Sequence, residues 1–264
     1  DTLRQIEARI CDGLGLGENR TLRGGEAFRV DEEDCLCVAS LAPFPLPGGE
    51  AALREPRRAA LGLLHAALGD EAFEDRTVRT QFSGTERPVL VRMLARGINS
   101  PLCTSIGRLF DAIAALLGLC PINRHEGEAA MRLQGAAEAA LRSAMPTPRF
   151  ELSLEGGTIQ WRELALGLIA ARDDGIPTPA LALAFHQALA RIAVGIAHRE
   201  ALPEVVLSGG CFQNRLLLEL CVEALRAAGL RPHWGQRIPC NDGGLALGQL
   251  GAAVRAPVQG PQSD

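Results

Sequence analysis

The sequence predicts an α/β protein in which two glycine-punctuated ends enclose a helix-rich middle. Three observations point there. Short apolar runs end in glycine turns at Asp12-Gly13, at Ser208-Gly209-Gly210 and at Asn241-Asp242-Gly243-Gly244. From about residue 51 to 199, apolar residues recur at spacings of three and four, the period of an amphipathic helix. After residue 200 the pattern becomes strand, glycine turn, helix, strand, glycine turn, helix.

At the start, Glu7 to Cys11 reads as a buried strand running into Asp12-Gly13-Leu14-Gly15-Leu16-Gly17, and Leu22 to Val30 as the returning strand of a hairpin. Cys35 to Leu41 reads as a further strand. Pro43 to Gly49 reads as a stiff loop, because three prolines fix φ and remove donors. Helices are expected at Ala59–Leu68, Glu86–Arg96, Ile106–Leu119, Glu128–Ala144, Trp161–Asp173 and Pro179–Arg199, with Gly97 and Gly118 where C-terminal caps belong. Glu204 to Leu207 reads as a strand, followed by a helix to Ala228. Arg231 to Gly235 reads as another strand, and Leu245 to Val254 as a final helix. The expected organisation is one domain over residues 1–256 in two lobes. Residues 1–50 and 200–256 surround the glycine loops, 51–199 are mostly helical, and 257–264 form a tail.

Composition narrows the function. With 264 residues, 47% hydrophobic and 22% charged, the chain has the profile of a soluble globular protein with a sizeable core. The most apolar stretch, Ala180 to Ala197, is interrupted by His186, Gln187 and Arg191, so no membrane span is expected. No basic-then-apolar segment opens the chain, which points to no signal peptide and a cytoplasmic location. A net charge of −4 with both signs interspersed gives no footprint for nucleic acid. All 27 basic residues are Arg. A Walker A loop, Schiff-base catalysis and protein-kinase catalysis each need a Lys, so all three are excluded. The 8 cysteines form no C-x2-C pair and read as reduced, mostly buried thiols; a Cys–His catalytic pair is the alternative.

Each glycine turn has two readings on its own. The Val205-Val206-Leu207-Ser208-Gly209-Gly210 segment is either an anion loop at a helix N-terminus or a tight turn needing positive φ. Asp12-Gly13-x-Gly15-x-Gly17 is either an anion nest with a metal-binding carboxylate or an ordinary hairpin turn. Asp242 is either a ligand or a helix cap. Taken together, an acidic glycine hairpin near the start and two glycine turns near the end suggest phosphate loops on both walls of a cleft. The actin/Hsp70/sugar-kinase superfamily holds a nucleotide this way without a P-loop Lys.

Five segments then resemble the HypF family of NiFe-hydrogenase maturation carbamoyltransferases. They are Asp12-Gly-Leu-Gly-Leu-Gly to Gly24-Gly25-Glu26, Leu41 to Gly49, Asn99-Ser-Pro-Leu to Gly107-Arg-Leu-Phe-Asp111, Glu126-Gly-Glu-Ala-Ala-Met131, and Ser208 to Asn214 with Asn241 to Gln249. The resemblance implies an actin/Hsp70/sugar-kinase-like fold with an incomplete first lobe. It implies transfer of a carbamoyl group from carbamoyl-adenylate to the C-terminal cysteine of a HypE-like partner, with ATP or carbamoyl-adenylate as the bound nucleotide. By motif match, Asp12 and Asp242 are implied metal ligands, and Gly13 and Gly15 the first phosphate loop. Gly107, Arg108 and Asp111 are implied to line the nucleotide and ribose, Glu126 and Gly127 to form the next contact, and Gly209, Gly210 and Asn214 the phosphate and adenine end. No residue is assigned as general base.

Departures from the family pattern bear on the metal. The family's histidine motif upstream of Asp12 and its carbamoyl-adenylate-forming domains are not in this sequence, so the chain reads as a truncated carbamoyltransferase. A divalent metal, Mg or Fe, would be held weakly by two carboxylates alone. An O-carbamoyltransferase of the antibiotic-biosynthesis type, an inactive nucleotide-binding remnant and a relative of the tRNA threonylcarbamoyladenosine synthase remain as alternative readings.

Overall fold

The computed structural model describes residues 15–16, 21–31, 34–244, 246 and 249–250. Three sheets carry the described strands. The first has the order β1 (Gly15–Leu16), β2 (Leu22–Arg23), β6 (Leu102–Cys103), β5 (Phe44–Pro45). The second has the order β3 (Glu26–Val30), β4 (Cys35–Leu41), β8 (Thr158–Gln160), β7 (Ser153–Glu155). The third is a parallel pair, β9 (Glu204–Leu207) and β10 (Arg231–Trp234), in register from Glu204 with Arg231 to Leu207 with Trp234.

The helices are α1 (Ala51–Arg54), α2 (Pro56–Leu68), α3 (Arg76–Gln81), α4 (Glu86–Arg96), α5 (Ile106–Leu116), α6 (Glu128–Arg142), α7 (Arg162–Asp173), α8 (Thr178–Arg199) and α9 (Arg215–Ala227). Helix α5 is buried along almost its whole length, because its apolar residues cover more than one face. Phe110 meets Phe185 of α8 edge-on, with ring centroids 4.9 Å apart; a buried aromatic of this kind contributes about 1.5–3 kcal/mol. Helix α2 packs backbone-close on β5: a Cβ on Gly62 would lie 1.8 Å from the carbonyl oxygen of Pro45. Trp161, just before α7, donates its Nε1–H to the carbonyl oxygen of Ala42 at 2.7 Å and ties the helical middle to the end of β4.

Helix α8 has the length and apolar character of a membrane span, but 72% of its apolar window is buried inside the molecule, as in a core helix. The seven described cysteines are in the reduced thiol form. Cys103, Cys120, Cys211 and Cys221 are buried, whereas Cys35 and Cys37 are exposed, contrary to a mostly buried set at that strand; Cys11 lies outside the described residues. Burial pushes the Cys221 thiol up to about 12, which leaves it protonated and unreactive.

Several element boundaries differ from the sequence expectation. The predicted strand Leu22–Val30 is two strands in two different sheets, broken at Gly24-Gly25. Gly24 has φ 149°, and a Cβ on Gly25 would lie 2.2 Å from the carbonyl oxygen of Thr104. A contact with a residue so distant in sequence breaks the strand. The Pro43–Gly49 loop contains the short strand β5, paired antiparallel with β6. Helix α5 stops at Leu116, and Gly118 follows at φ 74°. The predicted strand Glu7–Cys11 and the tail lie outside the described residues.

Candidate functional site

The first wall of the site is built around Gly24 and Gly25. Thr104 donates its N–H to the carbonyl oxygen of Leu22 at 2.8 Å, and Ile106 donates to that of Gly24 at 3.1 Å. Together they dock the start of α5 on the glycine turn. Glu26 secures the same turn. Its carboxylate, 5% exposed, accepts the N–H groups of Gly24 and Gly25, both at 2.9 Å, and the hydroxyl of Thr104 at 2.8 Å. A buried carboxylate is tolerated there because it has three donors. Ser105 caps α5, its Oγ accepting from the N–H of Arg108. Gly15, in β1, belongs to the sheet whose strand β6 precedes α5, the helix that carries Gly107.

Arg108 and Asp111 follow on the first turns of α5. Their side chains face each other, with Nη1 2.5 Å from Oδ2, and Asp111 is only 1% exposed. The ion pair fixes both side chains at the start of the helix. Glu126 and Gly127 are not brought to this place. Arg132 of α6 donates to the carbonyl oxygen of Leu119, beyond the C-terminal end of α5. The N-terminus of α6, where Gly127 stands at φ 75° and Glu126 is exposed, therefore lies at the opposite end of α5 from Gly107. Along eleven helical residues that is about 16 Å. The carboxylate next to them, Glu128, is pushed down to about 2 by its hydrogen bonds and ion pair with Arg124, with Arg132 adding to the effect.

The second wall is the loop between β9 and α9. Gly209 has φ 109° and ψ 161°, a conformation essentially reserved for glycine. A 3-10 turn, Gly210–Gln213, follows, and Asn214 then caps α9 by accepting the N–H of Leu217 at 3.0 Å. Gly209 donates its N–H to the carbonyl oxygen of Cys240 at 2.8 Å, which joins this loop to the turn of Asn241 to Gly244. Within that turn, Asn241 Oδ1 accepts the N–H of Gly243 at 3.1 Å. Both turns lie beyond the carboxyl ends of the parallel strands β9 and β10, where ligands bind in open α/β sheets.

Residues beside both turns line one small, mostly apolar cavity of about 30 Å³. Gly25, Glu26 and Ile106 line one side and Cys211, Phe212 and Leu217 the other. The start of α5 and the loop after β9 thus border one cavity, and the Asn241–Gly244 turn is joined to that loop, with Glu126 and Gly127 apart from them.

Asn214 has a second partner that sequence reasoning missed. Its Nδ2 lies 3.0 Å from Nε2 of His186, a residue with no solvent exposure in the middle of α8. Burial pushes the His186 imidazole from its ordinary 6.5 to about 4, against the opposing effects of the Ala182 carbonyl and Glu138. Glu26 and Thr104 were also missed as a pair. The one local signal was a charged residue placed directly after Gly24-Gly25.

As for a metal, no group of three or more His, Cys, Asp or Glu able to hold an ion occurs among the described residues. Asp12, Gly13 and the side chain of Asp242 lie outside them. The described donors do not by themselves make a metal site, and no chemical step is derived through one.

Comparison with known proteins gives this arrangement a family. The model of the carbamoyltransferase Kae1-like domain, second subdomain, matches residues 8–249. The chain is 41% identical over 247 residues to the carbamoyltransferase HypF of Rhodobacter capsulatus, covering 93% of the chain and 32% of that protein. It is 32% identical over 262 residues to the HypF of Synechocystis, covering 93% and 33%. A crystal structure of full-length HypF in its phosphate- and nucleotide-bound form superposes with a TM-score of 0.82 at 29% identity, covering 97% of this chain and 41% of that one. The chain spans about a third of the length of these curated relatives. With an α/β fold that matches theirs and a family match running through nearly every described element, the chain belongs to the HypF carbamoyltransferase family, where it corresponds to the second subdomain of the Kae1-like domain.

Proposed function

We propose that this chain is the nucleotide-holding part of a carbamoyl-transfer domain, acting on carbamoyl-adenylate and passing the carbamoyl group to the C-terminal cysteine of a HypE-like protein. The observation that carries this reading is the hydrogen bond from Gly209 to Cys240, which unites two glycine turns at the carboxyl ends of parallel strands. The Gly209 N–H is engaged in this bond, so what the joined turns offer an anion is the N-terminal end of α9 that they surround. In the proposed reaction the partner's thiolate attacks the carbamoyl carbon, a C–S bond forms, the bond from that carbon to the phosphate oxygen breaks, and AMP leaves. The chain's own contribution is electrostatic: the positive end of α9, held rigidly by the joined turns, offsets the charge developing on the phosphate, at no cost in reorganisation. The nucleotide-bound state of a HypF structure with the same fold supports a nucleotide here.

Incubation of the chain with chemically prepared carbamoyl-adenylate and a HypE-like protein, followed by mass spectrometry of the partner's C-terminal peptide, tests the reading. The account expects the mass of one carbamoyl group on the terminal cysteine, formed faster than in a control lacking the chain. Equal modification with and without the chain would refute it.

A further inference from the structure

We propose that His186 is a positioning residue for the nucleotide loop, holding the Asn214 side chain in the one orientation that fixes the Gly209–Asn214 segment against α8. The inference rests on the reading that this segment holds nucleotide.

His186 Nδ1 lies 2.8 Å from the carbonyl oxygen of Ala182, an acceptor only, so Nδ1 carries the proton. Nε2 is then bare and must accept. Asn214 therefore turns its NH2 toward His186 and its oxygen toward the N–H of Leu217, at 3.0 Å each. The flipped amide would set oxygen against a lone pair and NH2 against an N–H, so the neutral imidazole selects one rotamer. Asn214 is in turn linked to the loop through its own N–H, donated to the carbonyl oxygen of Cys211 at 3.1 Å. A continuous chain of hydrogen bonds thus runs from the backbone of α8 to the loop that begins at Gly209.

Capping alone does not call for this. An asparagine caps a helix with its oxygen, and serine does so about equally well. A fully buried imidazole between Phe110 and Phe185 carries a desolvation cost that an apolar side chain of similar size would avoid. That cost is offset where the orientation of the loop matters.

The test uses the 264-residue chain with ATP and Mg²⁺ as the probe, measured by calorimetry at a temperature where circular dichroism shows each variant folded. His186→Phe should weaken ATP binding about tenfold or more, and the amides of Cys211 to Leu217 should exchange faster while those of α2 do not change. His186→Gln, whose amide oxygen can accept from Asn214, should recover most of the affinity. Asn214→Ser keeps the cap but cannot reach His186, and adding His186→Phe to it should cost little more, because both act through one contact. ATP affinity in folded His186→Phe within twofold of the unaltered chain would overturn the proposal. If His186→Phe does not fold, wild-type-like binding by Asn214→Ser would overturn it equally. Failure of the unaltered chain to bind ATP would instead remove the nucleotide reading and this inference with it; normal binding by the unaltered chain with no effect of the variants removes the inference alone.

Discussion

Gly209 donates its N–H to the carbonyl oxygen of Cys240, 2.8 Å away, across a separation of 31 residues in the chain. This one bond joins two turns that each had an ordinary explanation. It requires Gly209 to turn its N–H outward from the end of β9, which the backbone achieves at φ 109° and ψ 161°.

Gly209→Ala should therefore fold less stably by about 1–3 kcal/mol, since a Cβ is not accommodated in that region of backbone space. Urea unfolding followed by circular dichroism measures it. An unchanged midpoint would mean that the loop relaxes freely and that its geometry is not held as described.

Glu26→Ala should cost about 2–3 kcal/mol, because two backbone N–H groups and a buried hydroxyl lose their acceptor. The urea midpoint should fall with the slope unchanged. A midpoint equal to that of the unaltered chain would show that the carboxylate does not secure the Gly24-Gly25 turn.

His186 makes folding sensitive to acid. Its imidazole is lowered from 6.5 to about 4 by burial, so between these values the unfolded chain binds the proton and the folded chain does not. The stability this group confers is complete above 6.5, declines as pH falls, and reaches a loss of about 3 kcal/mol near pH 4. His186→Phe should flatten this part of the profile. A stability difference between the two proteins that stays constant from pH 7 to pH 4 would contradict the assignment.

Two glycines in helices should respond oppositely to alanine. In α6, Gly135 has no neighbour within 4 Å of an added Cβ, so Gly135→Ala should stabilise by about 0.5–1 kcal/mol through the unfolded state. In α2, Gly62→Ala would drive a Cβ into the backbone oxygen of Pro45 and should destabilise by about 1–3 kcal/mol or more. Thermal midpoints moving in the same direction for both would refute the packing of α2 on β5.

Much of the fold was legible locally. Helix α4 and strands β4 and β9 begin and end where periodicity and turn residues place them, because their boundaries are set by Gly97, Leu41 and the Ser208-Gly209 turn. The β7–β8 hairpin turns at Gly156-Gly157, a glycine-pair signal set among helical stretches whose period dominates the local pattern. Strand β6 has two residues and exists only through its pairing with β2 and β5, so no local pattern announces it. The same distinction holds at the site. The turn at Gly209 and Gly210 was legible because a glycine turn has a local reason. The Glu26–Thr104 contact spans 78 residues and the His186–Asn214 contact 28, and neither partner marks the other in the sequence.

Calorimetric titration of the 264-residue chain with ATP in the presence of Mg²⁺ tests the central claim most directly, because it asks whether the joined glycine turns hold a phosphate. The account predicts saturable one-to-one binding that Gly209→Ala weakens at least tenfold while the variant remains folded. Binding of equal strength in Gly209→Ala, or none in the unaltered chain, would contradict it.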